Sequence, residues 1–155
     1  MKPSKIIILT GAKQSGKSTA LLTWIEEKNV GGFLTPIVSG KRILLSLPDK
    51  VYTPFESTDS YAESIKVGRY EFLKSAFQVM NNHLVQQSSS VFDWLVIDEV
   101  GPLELNGEGI YPGLIHVLHN TNNSLLLVVR EGLVEEVIEK FKLTSAEIIL
   151  KEDIV

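Results

Sequence analysis

Apolar positions along the chain follow two rhythms. Residues 6–9, Ile-Ile-Ile-Leu, are a continuous β-branched run, as in a strand buried on both faces of a parallel sheet. Ala20, Leu21, Trp24 and Ile25 then recur at helical spacing, and Asn29-Val30-Gly31-Gly32 reads as the helix stop. Residues 33–38 read as a strand that Pro36 assigns to an edge or an irregular position. Ser39-Gly40-Lys41 turns into a strand over 42–47, and Pro48-Asp49-Lys50 turns into another over 51–55. These short, turn-rich pieces predict antiparallel strands attached to a core sheet.

The polar stretch 56–66 reads as a solvated loop, and 67–72 as a short strand. Ala76, Val79, Met80, His83 and Leu84 predict a helix that Ser88-Ser89-Ser90 ends. Residues 91–100 are again apolar and finish in Asp98-Glu99-Val100, with Gly101-Pro102 behind them. A loop over 103–109 precedes a helix over 110–118, with Pro112 and Gly113 near its start. Residues 124–130 form a further buried strand ending in Arg130. Residues 135–141 form a helix with Val134, Val137, Ile138 and Phe141 on one face, and 147–150 a last strand. Strands alternating with helices predict an α/β protein with a mainly parallel sheet flanked by helices.

The connection between the first strand and the first helix carries the clearest chemistry. It reads Gly11-x-x-x-x-Gly16-Lys17-Ser18, the phosphate-binding P-loop pattern, in the strand–loop–helix context that the pattern requires. The first turn of a helix leaves backbone N–H groups unpaired, and the helix dipole adds partial positive charge there. A loop wrapping a phosphate turns more N–H groups inward. Gly11 and Gly16 permit the backbone angles and close approach. Lys17 can reach the β- and γ-phosphates, and Ser18 offers its hydroxyl to Mg²⁺. Residues Gly11, Ala12, Lys13, Gln14, Ser15, Gly16, Lys17, Ser18 and Thr19 are therefore candidate nucleotide ligands.

An apolar strand ending in a carboxylate, downstream of such a loop, reads as its metal-binding partner. Asp98 is delivered to the carboxyl end of the sheet, where open α/β sheets bind ligands, and would hold Mg²⁺ opposite Ser18. Glu99 is the candidate that accepts a hydrogen bond from the attacking water. Adjacent strand residues point to opposite faces, so the chain must bend for both carboxylates to serve. Arg130 ends its own strand at the same edge if the sheet is parallel. It reads either as a ligand of the γ-phosphate or as a salt-bridge partner of Glu131 or the next helix. The loop 56–66 can lie near the nucleotide. Tyr52, Phe55 and Tyr70 can stack on a base or belong to the core. His116 and His119, at i and i+3, read as helix-surface residues rather than metal ligands, since no third ligand is nearby.

Length and charge narrow the class. The 155 residues fit one domain, 1–155. A net charge of -4 argues against a general nucleic-acid binder. The absence of cysteine removes disulfides, thiol catalysis and cysteine–zinc sites. No apolar run is long enough for a membrane span, and a cytoplasmic protein is expected.

Four segments occur in an order that resembles a known family. They are Gly11-x-x-x-x-Gly16-Lys17-Ser18-Thr19, Gly32-Phe33-Leu34-Thr35-Pro36, Val67-Gly68-Arg69-Tyr70, and the run from Val96 to Leu105, Val-Ile-Asp-Glu-Val-Gly-Pro-Leu-Glu-Leu. They are similar to the small P-loop nucleoside-triphosphatases first known from thermophiles, with a human relative called cancer-related nucleoside-triphosphatase. The resemblance spans nearly the whole chain, and the Asp98-to-Leu105 run is its most restrictive part. It implies a RecA-like core and Mg²⁺-dependent hydrolysis of several nucleoside triphosphates, ATP and GTP among them, with little choice of base. It places the nucleotide at Gly11 to Thr19 and beside Asp98-Glu99. This chain has Lys13-Gln14-Ser15 where the family's loop is usually richer in Gly and Pro, and Val129-Arg130 where the family often has His-Arg.

Two other classes stay open at this stage. A P-loop kinase would need an acceptor site and usually an arginine-bearing lid, and the chain has only Arg42, Arg69 and Arg130. A nucleotide-dependent binding switch would hydrolyse slowly and answer to a protein partner, which the sequence does not name. No base-reading motif such as Asn-Lys-x-Asp is present.

Overall fold

A computed structural model describes residues 1–12, 16–58 and 63–154. In chain order its elements are β1 (Ile6–Gly11), α1 (Lys17–Trp24), β2 (Val30–Leu34), β3 (Ile37–Val38), β4 (Lys41–Leu47) and β5 (Val51–Pro54). A hairpin follows, β6 (Ser64–Val67) and β7 (Tyr70–Leu73), running into α2 (Lys74–Gln87). Then come β8 (Trp94–Val100), the short α3 (Pro102–Leu105), α4 (Tyr111–Asn120), β9 (Ser124–Arg130), α5 (Val134–Phe141) and β10 (Glu147–Leu150).

Eight strands form one sheet in the order β10-β1-β9-β8-β2-β4-β3, with β5 paired to β4. The five strands from β10 to β2 are mutually parallel. Strand β4 runs antiparallel to β2, β3 and β5, as expected for the attached short strands. The β6–β7 hairpin stands apart as a two-stranded antiparallel sheet.

The continuous apolar runs are buried because helices cover both faces of the parallel strands. Along β9, Leu125, Leu127 and Val129 join a cluster with Met80, Leu114 and Val137 from α2, α4 and α5. Leu126 and Val128 join the opposite cluster with Leu21 and Trp24 of α1. Each residue from Leu125 to Val129 is at most 1% exposed. At about 2 kcal/mol per buried Leu or Val side chain, this strand is fixed from both sides.

Three local expectations are corrected. Gly31 and Gly32 do not stop a helix but lie inside β2, a fully buried central strand. Gly32 has φ +91, and a Cβ there would sit 2.0 Å from the Val96 carbonyl oxygen. The pair reads as a breaker in sequence because the close approach of β8 that requires it is a tertiary contact. The buried Gln87 completes the seam. Its Oε1 accepts from Gly32 N at 2.7 Å, and its Nε2 donates to the Leu47 carbonyl at 2.8 Å. Second, the strand expected over 33–38 breaks at Thr35-Pro36, and Ile37–Val38 pairs with β4 instead of continuing beside β8. Third, residues 67–72 are a hairpin corner: Val67 pairs with Tyr70 across Gly68-Arg69. Of the stretch 56–66, Ser64 to Lys66 belong to β6, and 59–62 lie outside the described residues.

Candidate active site

Parallel strands deliver their carboxyl ends to one edge of a sheet. Here that edge gathers Gly11 from β1, Asp98 and Glu99 from β8, and Arg130 from β9. The α1 helix begins at Lys17, with Gly16 as its N-cap. Lys17 is 7% exposed. Its Nζ donates to the carbonyls of Gly11 at 3.1 Å and Ala12 at 2.9 Å. Burial lowers the pKa of this ammonium below the usual lysine value, against the pull of Glu99 and Asp98 in the other direction.

Ser18 Oγ donates to Asp98 Oδ2 at 2.8 Å. The same carboxylate oxygen accepts from Thr35 N at 3.2 Å, while Thr35 Oγ1 donates to the Asp98 carbonyl at 3.1 Å. Asp98, 2% exposed, thus ties the start of α1 to the break after β2.

The bend required for Glu99 is a β-bulge. Asp98 stands opposite Val128 and Val100 opposite Val129, which leaves Glu99 as the extra residue on β8. The Asp98–Glu99 peptide is cis. Both carboxylates line the same cleft. Glu99 Oε1 lies 3.4 Å from Arg130 Nη2, each side chain about a third exposed. Burial, and then the Asp98 charge, raise the Glu99 pKa; Arg130, Arg42 and Lys17 oppose them.

The cleft has a volume of about 570 Å³. Gly16, Lys17, Ser18 and Thr19 form one wall, with Asp98, Glu99 and Arg130 beside them. Leu22, Ile37, Tyr70 and Phe72 also line the cleft. Arg130 lines the same cleft as Lys17 and Ser18, and among the described residues its salt bridge is to Glu99, not to Glu131 or the next helix. Among the other sequence candidates, Gly11 and Ala12 take part through their carbonyls, and Lys13, Gln14 and Ser15 lie outside the described residues. Tyr70 lines the cleft, whereas Phe55 is core, stacked on Phe72 at 4.2 Å, and Tyr52 is not among the lining residues. His116 Nε2 meets Ser88 Oγ at 3.1 Å, and His119 Nδ1 the Ile115 carbonyl at 2.9 Å.

Arg42 and Thr35 were not singled out as site residues. Arg42 reaches the cleft from β4 and donates through Nη1 to the Thr35 carbonyl at 2.7 Å. A lone arginine on a short strand carries no sequence signal for a site. Only the antiparallel pairing of β4 with β2 brings it there.

The strand order, the loop between β1 and α1, and the carboxylate pair ending β8 define a P-loop NTPase fold with a RecA-like, mainly parallel sheet. The chain belongs to the NTPase family, whose model matches residues 6–151. Comparison with curated proteins gives no match. Among solved structures, the chain is similar to the crystal structure of THEP1 from the hyperthermophile Aquifex aeolicus, with a TM-score of 0.73 and 20% identity, covering 97% of this chain and 96% of that one. It is also similar to the solution structure of a human cancer-related nucleoside triphosphatase, with a TM-score of 0.69 and 21% identity, over 94% and 88% of the two chains.

Proposed function

We propose that this chain hydrolyses nucleoside 5′-triphosphates to nucleoside diphosphate and phosphate in a Mg²⁺-dependent reaction. The observation that carries this reading is the bulge at Glu99, which sets a carboxylate of raised basicity beside Asp98 on the wall of the cleft. A general base needs that proximity and that poise.

The N–H groups at the start of α1, its dipole and Lys17 would hold the phosphates. Lys17 exchanges the Gly11 and Ala12 carbonyls for phosphate oxygens. Ser18 and Asp98 offer two hard oxygen donors already converged within 2.8 Å, a donor set that suits Mg²⁺. Held by Ser18 and Asp98, the ion would supply positive charge to offset that of the triphosphate. Glu99 accepts the proton side of the attacking water and aims it at the γ-phosphorus. Arg130 and Arg42 face the charge that develops there.

The apolar and aromatic surface of Leu22, Ile37, Tyr70 and Phe72 supports contact without reading of base edges, hence turnover of ATP, GTP and others. The site uses no nucleic acid and no membrane. Among the described residues, no helix is long and apolar enough to cross one, and a cytoplasmic setting fits the reading.

Phosphate release from ATP, GTP, CTP and UTP, with and without Mg²⁺, tests the proposal. Metal-dependent release from several nucleotides is expected, lost in Lys17→Ala. In Glu99→Gln it should fall about 100- to 10,000-fold with nucleotide still bound. Binding without release in the wild type, or transfer of the phosphoryl group to an acceptor in place of water, overturns it.

A further inference from the structure

Among the described residues, Arg130 is the side chain within hydrogen-bond reach of the Glu99 carboxylate. One side of Glu99 faces the open cleft. On the other lies a small cavity of about 70 Å³ that Glu99 shares with Phe77 and Glu104. Its contact with Arg130, at 3.4 Å, is long for a charge-assisted hydrogen bond. The position of its carboxylate therefore depends on the backbone that follows the bulge. That backbone is bolted by Glu104, a carboxyl group 4% exposed and so far from solvent. Glu104 Oε1 accepts from Gly101 N, two residues past Glu99, at 2.8 Å. Its Oε2 accepts from Ile110 N at 3.0 Å, at the entry to α4.

The bolt is anchored in turn. Asn81 of α2 donates to the Gly109 carbonyl at 3.0 Å and accepts from Gly113 N at 2.8 Å. The α2 helix thus holds the start of α4, Glu104 ties that start to Gly101, and Gly101 leads back to Glu99. The sequence reserves space for the carboxyl. Gly109 has φ +64, and a Cβ there would lie 2.1 Å from Glu104 Oε2. A buried carboxyl with two oriented N–H partners is an expensive way merely to close a loop. Its value lies in fixing geometry.

We propose that Glu104 is a positioning residue for hydrolysis: by tying Gly101 to Ile110 it holds Glu99 at the cleft wall without touching the nucleotide. This rests on the hydrolase reading above. Glutamine at 104 keeps the shape but offers one acceptor for two N–H groups, so one end of the tie is lost. Misplacement of a catalytic group by about 1 Å is worth about 100-fold in rate. Expected for Glu104→Gln is therefore a fall in kcat of about 10- to 100-fold, with KM and the equilibrium affinity for a nucleotide within about twofold of wild type. Each protein is assayed below its own melting transition, with kcat expressed per folded molecule.

Gly109→Ala is the second variant. It retains the carboxylate but drives it from its seat, and the same selective loss of kcat is expected. It carries the test if Glu104→Gln does not fold. A kcat within about twofold of wild type in the folded variants overturns the positioning role, as does a change confined to KM. Wild-type protein that releases no phosphate from any nucleotide overturns the hydrolase reading, and this inference with it.

Discussion

The burial of Glu104 makes a second prediction, about stability rather than rate. Removal from water pushes its pKa from the usual 4.5 up to about 7, and the Gly101 and Ile110 N–H bonds offset only part of that penalty. Between those two values the folded chain retains a proton that the unfolded chain has released. The folded state then binds more protons, so stability falls as pH rises. The contribution of this group is fully present below about pH 4.5 and lost as pH passes through about 7. The shift is worth about 3 kcal/mol, and at 4% exposure solvent screening removes little of it. Urea titrations of wild type and Glu104→Gln, at steps from about pH 5 to about pH 8, measure it. The wild-type unfolding free energy should fall across that window relative to the variant, by up to about 3 kcal/mol. Glu99, also shifted upward, is taken out of the comparison by repeating both titrations in a Glu99→Gln background. Two curves that stay parallel over the whole window, whatever their vertical offset, would refute the reasoning, because an uncharged glutamine cannot reproduce a titrating slope.

Other outcomes follow from the same geometry. Asp98→Ala removes the acceptor of both Ser18 Oγ and Thr35 N; the Mg²⁺ concentration needed for half-maximal phosphate release should rise at least about tenfold, measured by metal titration after chelation. Gly32→Ala sets a methyl group 2.0 Å from the backbone oxygen of Val96, which no rotamer change relieves. It should lower the unfolding free energy by at least about 2 kcal/mol in denaturant titration.

The parallel part of the sheet was legible because residues 6–9, 94–97 and 125–129 are unbroken apolar runs, and only a strand covered on both sides tolerates that. That Lys17, Ser18, Asp98 and Glu99 would meet in one cleft was legible because loop chemistry and strand ends are local features. What failed to show was set by distant chain. Gly32 of β2 answers to a carbonyl more than sixty residues away on β8. Arg42 enters the site through a strand pairing that no periodicity encodes. Glu104 stood inside a recognised motif, but its two N–H partners are a matter of how the loop 101–110 closes, and nothing in the residue's type announces that it is buried.

In the structure the site is bonded to itself. Lys17 rests on the carbonyls of its own loop, Ser18 on Asp98, and Arg130 leans on Glu99. On the proposed reading, a ligand enters by partner exchange, and each exchange has its own requirement. A phosphate alone can relieve Lys17, but it gives Asp98 nothing in return for the Ser18 hydroxyl; only a cation does. Phosphate and metal arriving together satisfy both sides of the ledger, so their affinities are thermodynamically coupled. The self-bonded arrangement would then act as a filter that favours the metal–triphosphate complex over either ion by itself.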